Sequence, residues 1–299
     1  MTRGILASVF ASVMFGTMYY IVTRMAPLTA QEIFTARMML TGPLVCVAIT
    51  VMREWPLVGA AVLQVRYRPW LVLVYLLNAA NVAGQLWLFM WAPLHGKALE
   101  ASLGYFLMPL VMVLIGRVIY REPMSSWQIA ATGLAALGVG HELWRVGSFS
   151  WIVLFIAFGF PMLFVLRRAF RIAGQGGALI ELNLVFLFAC ALFVRDGFPF
   201  ASLTPQLSGL VLVIAAISAA SMLAYYAASR LLPFSLFGLL GYLEPVLLAI
   251  VAFVLGETLQ PSELFTYVPI WLAVMVLVLE GARSVARRSP RVRTISATP

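Results

Sequence analysis

Charged side chains are scarce in this chain. Only 10% of its 299 residues are Asp, Glu, Lys or Arg, where a soluble domain carries about 25%. Acidic residues are the rarer sign, 11 against 20 basic ones. So thin a coat cannot keep a 32.9 kDa particle in water, which excludes a soluble enzyme. Disorder is excluded too, because 63% of the residues are hydrophobic. Cysteine occurs twice, as Cys46 and Cys190, each inside an apolar run; neither has metal-ligand spacing and no disulfide is expected. Histidine also occurs twice. His141-Glu142 begins like a zinc-protease helix, but the fifth position is Arg145 and no second ligand follows. There is no glycine-rich phosphate loop and no Gly-x-Ser-x-Gly elbow, so the sequence implies no ATP-driven pump, no metal and no cofactor.

What the chain has instead is length of apolar run. Crossing hydrocarbon takes about 20 mostly apolar residues. Ten such runs are found, at roughly 4–23, 29–52, 70–91, 98–117, 125–143, 149–167, 177–194, 207–229, 234–255 and 262–281. Period-two alternation is absent, so the sequence predicts an all-α integral membrane protein of ten transmembrane helices and not a barrel. The first run follows a single Arg with no small-residue cleavage site, and is read as a retained span.

The net charge of +9 is not spread along one exposed face, so nucleic acid is not expected as a partner. The basic residues fall in connectors. With the N-terminus inside, the inner segments hold Arg3, Arg53, Arg66, Arg68, Arg117, Arg121, Arg167, Arg168, Arg171, Arg230, Arg283, Arg287, Arg288, Arg291 and Arg293. The outer segments hold Arg24, Lys97, Arg145 and Arg195. This bias predicts that both termini are cytoplasmic. Trp55, Trp70, Trp127, Trp144 and Trp151 fall at span ends, where interfacial aromatics belong. The tail 282–299 is basic, carries two Pro, and reads as a disordered segment against anionic lipid heads.

The chain also repeats itself. Asn78-Ala79-Ala80-Asn81 matches Ser218-Ala219-Ala220-Ser221 at an offset of 140, and Pro93 matches Pro233. Leu103-Gly104-Tyr105 precedes Pro109 as Leu240-Gly241-Tyr242 precedes Pro245, and Glu122 and Glu257 follow. Phe15-Gly16 and Phe158-Gly159 each lead to an Arg eight residues on, Arg24 and Arg167. Five spans per half is an odd number, so the second half must enter the bilayer from the other side. The expected organisation is a first repeat over 1–147, an inverted second repeat over 148–281 and the tail 282–299. Inverted repeats are typical of secondary transporters, whose substrate site lies near the midplane.

Several buried polar residues are candidates for that site. Asn78, Asn81 and Gln85 share one face of span 3, with Tyr75 a turn away; Ser218, Ser221 and Tyr225 share the same spacing in span 8. At midplane depth lipid offers these groups no hydrogen bond. They either meet across a central space and hold substrate, or bridge helices. Tyr105 and Tyr242 are repeat-related aromatics that, with Phe15, Trp87, Phe158 and Tyr225, would line an apolar space. Arg37 lies two turns into span 2, where a buried charge costs at least ~2.5 kcal/mol unless it finds a partner. Either it captures a substrate carboxylate or it pairs with Glu100, Glu181 or Glu244. Glu244 precedes Pro245 within span 9, where a kink is expected. It is either a proton-coupling site or a hydrogen-bonded carboxyl that holds the kink.

Two five-span halves, each with a Pro in its fourth span and Arg121-Glu122 or Gly256-Glu257 at the helix end, resemble the EamA repeats of the drug/metabolite transporter superfamily. Glu32-Ile33, Arg37 and the run Gly104 to Val111 resemble the chloramphenicol-sensitivity, RarD-type branch; the aromatic amino acid exporters of the YddG type are also similar. The chain departs from the RarD-type pattern at Ala36, Met108 and Met112, which leaves a more apolar pocket. The resemblance implies a ten-helix basket around a central cavity lined by spans 1, 3, 4, 6, 8 and 9. It implies export of small amphipathic metabolites across the bacterial inner membrane, amino acids including aromatic and other hydrophobic ones foremost. The alternatives are a RarD-type permease with a non-amino-acid substrate and an intramembrane enzyme; the latter needs a compact acid/base or metal cluster, which the sequence does not offer.

Overall fold

A computed structural model describes residues 2–51, 53, 55–121, 124–146, 150–172, 175–197, 204–232 and 240–288. The repeat matches at Glu122 and Pro233, the joint at 147–148 and the tail from 289 onward lie outside the described residues.

Eleven helices make up the described part: α1 (Thr2–Val22), α2 (Ala30–Val51), α3 (Trp55–Tyr67), α4 (Leu71–Leu94), α5 (Ala98–Val118), α6 (Ser126–Val146), α7 (Trp151–Ala169), α8 (Gln175–Asp196), α9 (Pro205–Leu231), α10 (Leu243–Val254) and α11 (Leu264–Arg288). No strand occurs among the described residues. Seven of the helices are long and apolar enough to cross a membrane, and α10 and Leu264–Glu280 of α11 are shorter apolar helices. Each of the ten expected runs carries a helix, so the fold is all-α and compatible with ten spans.

Local chemistry explains where several helices start. Thr29 and Glu32 form a capping box at α2: Thr29 N donates to Glu32 Oε2 at 2.7 Å and Glu32 N to Thr29 Oγ1 at 3.3 Å. Ser125 and Gln128 do the same for α6. Thr204 caps α9, with Pro205 at its first position. Pro93 and Pro161 sit inside α4 and α7, as membrane helices tolerate where neighbours satisfy the freed backbone groups.

Contacts at the helix ends show that successive long helices run in opposite directions. At the end where α1 begins, the proximal end, Gly4 lies against Leu232 and Arg283 stacks on Trp127 at 4.4 Å. Gln64 of α3 donates to the carbonyl of Arg171 there. At the opposite, distal end, Gln31 donates to Asp196 at 2.6 Å, Ser150 donates to Glu100, and Arg145 pairs with Glu142 and Glu263.

Two features depart from the sequence expectation. The connector between spans 2 and 3 holds a helix, α3, whose Ala61 side packs toward α8 while Leu57, Val62 and Leu63 are exposed. Helix α11 also continues to Arg288, into the segment expected as a disordered tail. The reason is local: Ala282, Arg283 and Ala286 are good helix formers, and Arg283 gains an aromatic contact with Trp127.

Helix neighbours occur in matched sets. α1 packs on α9 and α10, and α7 packs on α4 and α5. α2 packs on α9 as α8 packs on α4. α2 meets α8, and α6 meets α11. The α6–α11 contact is close enough that a Cβ on Gly138 would meet the Thr266 carbonyl oxygen at 2.5 Å.

Candidate functional site

The polar face of α4 is turned onto α7 and α8. Asn78 is fully buried and donates from Nδ2 to Glu181 Oε1 at 2.8 Å. Glu181 is itself buried and pairs with Arg167 at the end of α7. Asn81 donates to the carbonyl of Gly159 at 2.7 Å, and Gln85 to that of Phe155 at 2.8 Å. Pro161 and Pro43 stand inside α7 and α2. The acceptor oxygens Asn78 Oδ1 and Gln85 Oε1, and the Tyr75 hydroxyl, are buried without a hydrogen-bond partner. Asn78 and Gln85 are thus bridges whose acceptor oxygens remain unused.

The hydroxyl face of α9 turns elsewhere. Ser218 and Ser221 are buried; Ser221 Oγ returns its proton to the helix carbonyls of Ile217 and Ser218. Ser218 Oγ accepts from Arg37 Nε of α2 at 2.9 Å. The expected meeting of the α4 and α9 faces is therefore not made by a hydrogen bond among the described residues: each face bonds a different neighbour. Tyr225 is exposed, and so is Phe158.

Arg37 is 1% exposed, yet none of the three carboxylates considered as partners forms an ion pair with it among the described residues. Glu181 is held by Arg167 and Asn78. Glu100 is held by Lys97 and Ser150. Glu244 is partly buried at the start of α10. Arg37 Nη1 is buried without a partner, and so is the hydroxyl of Thr41, one turn further along α2.

Glu244 stands in the first turn of α10, which begins at Leu243 after a turn at Tyr242. Leu240 and Gly241 are helical, so the helix is interrupted at Tyr242, close to the kink expected beside Pro245. Pro245 falls in the first turn, where its missing N–H has no intrahelical role. The helix dipole there favours a carboxylate. With 12 residues, α10 spans about 18 Å, so it starts well inside the bundle. Tyr242 is partly buried beside it.

Toward the distal end these groups are covered by one apolar cluster. Met18, Tyr19 and Val22 of α1, Leu88 to Met90 of α4, Tyr105 of α5, Ile152 and Ile156 of α7, Leu207 and Ile214 of α9, and Leu248 and Ala252 of α10 belong to it. Tyr19 packs edge-on against Phe89 at 4.9 Å. At the distal surface a groove of about 610 Å³ lies between α2, α4 and α8, lined by Glu32, Trp87, Trp91, His95 and Asp196 among others. It is separate from the buried groups around Arg37. Among the described residues no group of three His, Cys, Asp or Glu is placed to hold a metal ion.

Sequence reading missed the Arg167–Glu181 pair as part of the α4 polar face, because periodicity within one helix does not show which neighbour it meets. The i, i+4 spacing of Arg37 and Thr41 was the available signal for Thr41.

The EamA-like transporter family matches residues 2–140, the stretch from α1 into α6. The chloramphenicol-sensitive protein RarD of Pseudomonas aeruginosa is 40% identical over 294 residues, covering 97% of this chain and 98% of that protein. The chain belongs to the RarD-type branch of the EamA-like transporter family. A second relative of this EamA transporter, an uncharacterised transporter of Pasteurella multocida, is 34% identical over 290 residues, 96% of this chain and 99% of its own. Protein RarD of Escherichia coli K12 is 29% identical over 268 residues, 87% of this chain and 88% of its own. A solved crystal structure aligns over 95% of this chain and 99% of its own with a TM-score of 0.59 at 15% identity, and so shares the fold. The RarD-type protein is a multi-pass membrane transporter, not an enzyme. Its substrate is a small molecule, its surroundings are lipid, and its bacterial relatives are consistent with the inner membrane.

Proposed function

We propose that this chain is a secondary exporter of small amphipathic metabolites, amino acids with aromatic or other hydrophobic side chains foremost. The observation that carries the reading is a set of buried polar groups enclosed between helices and covered distally by an apolar cluster. Apolar walls with few polar contacts suit a solute that has a polar head and an apolar side chain. Arg37, Tyr105, Tyr242 and Glu244, with Tyr75, Asn78, Asn81, Gln85, Ser218 and Ser221, are the residues assigned to substrate or coupling; Tyr225, which is exposed, stands outside the enclosed set.

Alternating access comes from two inverted halves, 1–147 and 148–281, rocking against each other. The matched helix contacts support it: exchanging α1, α2, α4, α5 and α6 for α7 to α11 turns the α1–α9 contact into α7–α4, and α2–α9 into α8–α4. The proximal end carries exposed Arg3, Arg53, Arg66, Arg68, Arg117, Arg121, Arg168 and Arg171. The positive-inside rule then makes it cytoplasmic, with both termini on that side and the apolar cluster closing the outer side. A second reading, a permease for a non-amino-acid solute, is favoured by the relative named for chloramphenicol sensitivity.

Reconstitution separates the two. Liposomes bearing the protein are loaded with unlabelled solute, and uptake of labelled L-phenylalanine or labelled chloramphenicol is followed. Protein-dependent counterflow of the amino acid is expected. Counterflow of chloramphenicol alone supports the second reading, and no flux of any solute rejects both.

A further inference from the structure

We propose that Arg37 is a binding site for a carboxylate, so that the transported solute is an organic acid or zwitterion anchored by its carboxylate; the inference rests on the transporter reading. Arg37 is buried, and its Nε is fixed by Ser218 Oγ at 2.9 Å. Neither Nη nitrogen donates to a protein group among the described residues, and Nη1 is fully enclosed. A guanidinium held at Nε presents its Nη edge as a planar fork, the shape that grips a carboxylate at two points. Arg167 at the end of α7, which is only partly buried, is already matched by Glu181. Among the described residues Arg37 is the cation that is buried with no anion beside it, a charge that is costly there until an anion arrives.

One further group faces the same need, and an aromatic ring lies nearby. The Thr41 hydroxyl, one turn along the same face of α2, is buried with no partner. Tyr105 of α5 belongs to the same buried apolar cluster as Ile33, one turn before Arg37 on α2. Thr41 offers a second donor to a bound carboxylate, and the ring of Tyr105 offers an apolar wall to what the carboxylate carries. Ser218 is a positioning residue: it holds the guanidinium and leaves the fork free.

The test uses purified full-length protein and three probes that differ at one group: L-phenylalanine, its amide L-phenylalaninamide, and 3-phenylpropanoate, which lacks the amine. Both carboxylates are expected to raise the melting temperature of the wild type, and the amide is not. Arg37→Gln is expected to weaken the response to both acids by about tenfold or more in apparent affinity. Ser218→Ala is expected to weaken it less, and Arg37→Lys to keep part of it. Stabilisation by the amide equal to that by the acids overturns the proposal. So does an unchanged response in Arg37→Gln, or no response to any acid. Should Arg37→Gln not fold, an unaltered affinity in Ser218→Ala does the same. Counterflow in liposomes is read in parallel: flux of the amide equal to that of the acid removes the anchor and leaves transport standing. Absence of all flux, with an Arg37-dependent response to acids intact, removes transport and leaves the anchor.

Discussion

Asn78 on α4 donates to Glu181 on α8 at 2.8 Å, and the same carboxylate is paired with Arg167 on α7. One acid thus ties three helices, two from one half of the chain and one from the other. Removing it exposes the cost. Glu181 is 1% exposed but Arg167 is 18% exposed, so the orphaned guanidinium can still reach water. Glu181→Ala is therefore expected to cost about 2 kcal/mol, less than the ~3–5 kcal/mol of a wholly buried broken pair. Asn78→Ala is expected to cost about 0.6 kcal/mol. Thermal unfolding in detergent measures both, and a larger loss for Asn78→Ala than for Glu181→Ala contradicts the network.

The α4–α7 seam depends on the absence of a side chain at Gly159. A Cβ there would lie 2.0 Å from Gln85 Nε2 and 2.8 Å from Asn81 Oδ1. Gly159→Ala must push both amides off the carbonyls they hold. The expected loss is about 1 kcal/mol, two interhelical hydrogen bonds at ~0.6 kcal/mol each. In the background of Asn81→Ala and Gln85→Ala the same substitution should cost almost nothing. A double-mutant cycle on melting temperature decides; full additivity rejects the seam.

Glu257 joins the end of α10 to the start of α5. Its two carboxylate oxygens accept from Ala98 N and Leu99 N, each at 2.7 Å. The chain is aimed there by Gly256, whose φ of +89° permits the bonds Gly256 N to Phe253 O and Glu257 N to Ala252 O. Glu257→Ala leaves two donors at the head of α5 unsatisfied and is expected to lower stability by about 1–2 kcal/mol. Glu257→Gln retains one acceptor and should fall between. Hydrogen exchange at Ala98 and Leu99 locates the effect; unchanged protection in Glu257→Ala counts against the cap.

Glu244 is the acid assigned to coupling, set in the first turn of α10 and partly open to its surroundings. Glu244→Gln keeps the shape and removes the titratable proton. Export measured with and without a proton gradient is expected to lose its gradient dependence while exchange at equal pH persists. Unchanged gradient dependence rejects Glu244 as the coupling group.

The amino-acid sequence by itself determined the all-helical membrane class, because hydropathy and charge bias act residue by residue and need no knowledge of neighbours. The exposure of Trp55, Trp70, Trp127, Trp144 and Trp151 agrees with their place at span ends. Tertiary structure decided the partners. Periodicity put Asn78, Asn81 and Gln85 on one face, but only packing decided that the face meets α7 and α8. Charge counting offered Arg37 three carboxylates, and only the fold gave Glu181 to Arg167, Glu100 to Lys97, and the Ser218 hydroxyl to Arg37. A helix face is a local property fixed by a 3.6-residue turn. Which groups meet across helices depends on how the whole bundle satisfies its buried polar atoms together, with no water in the lipid to stand in for a missing partner.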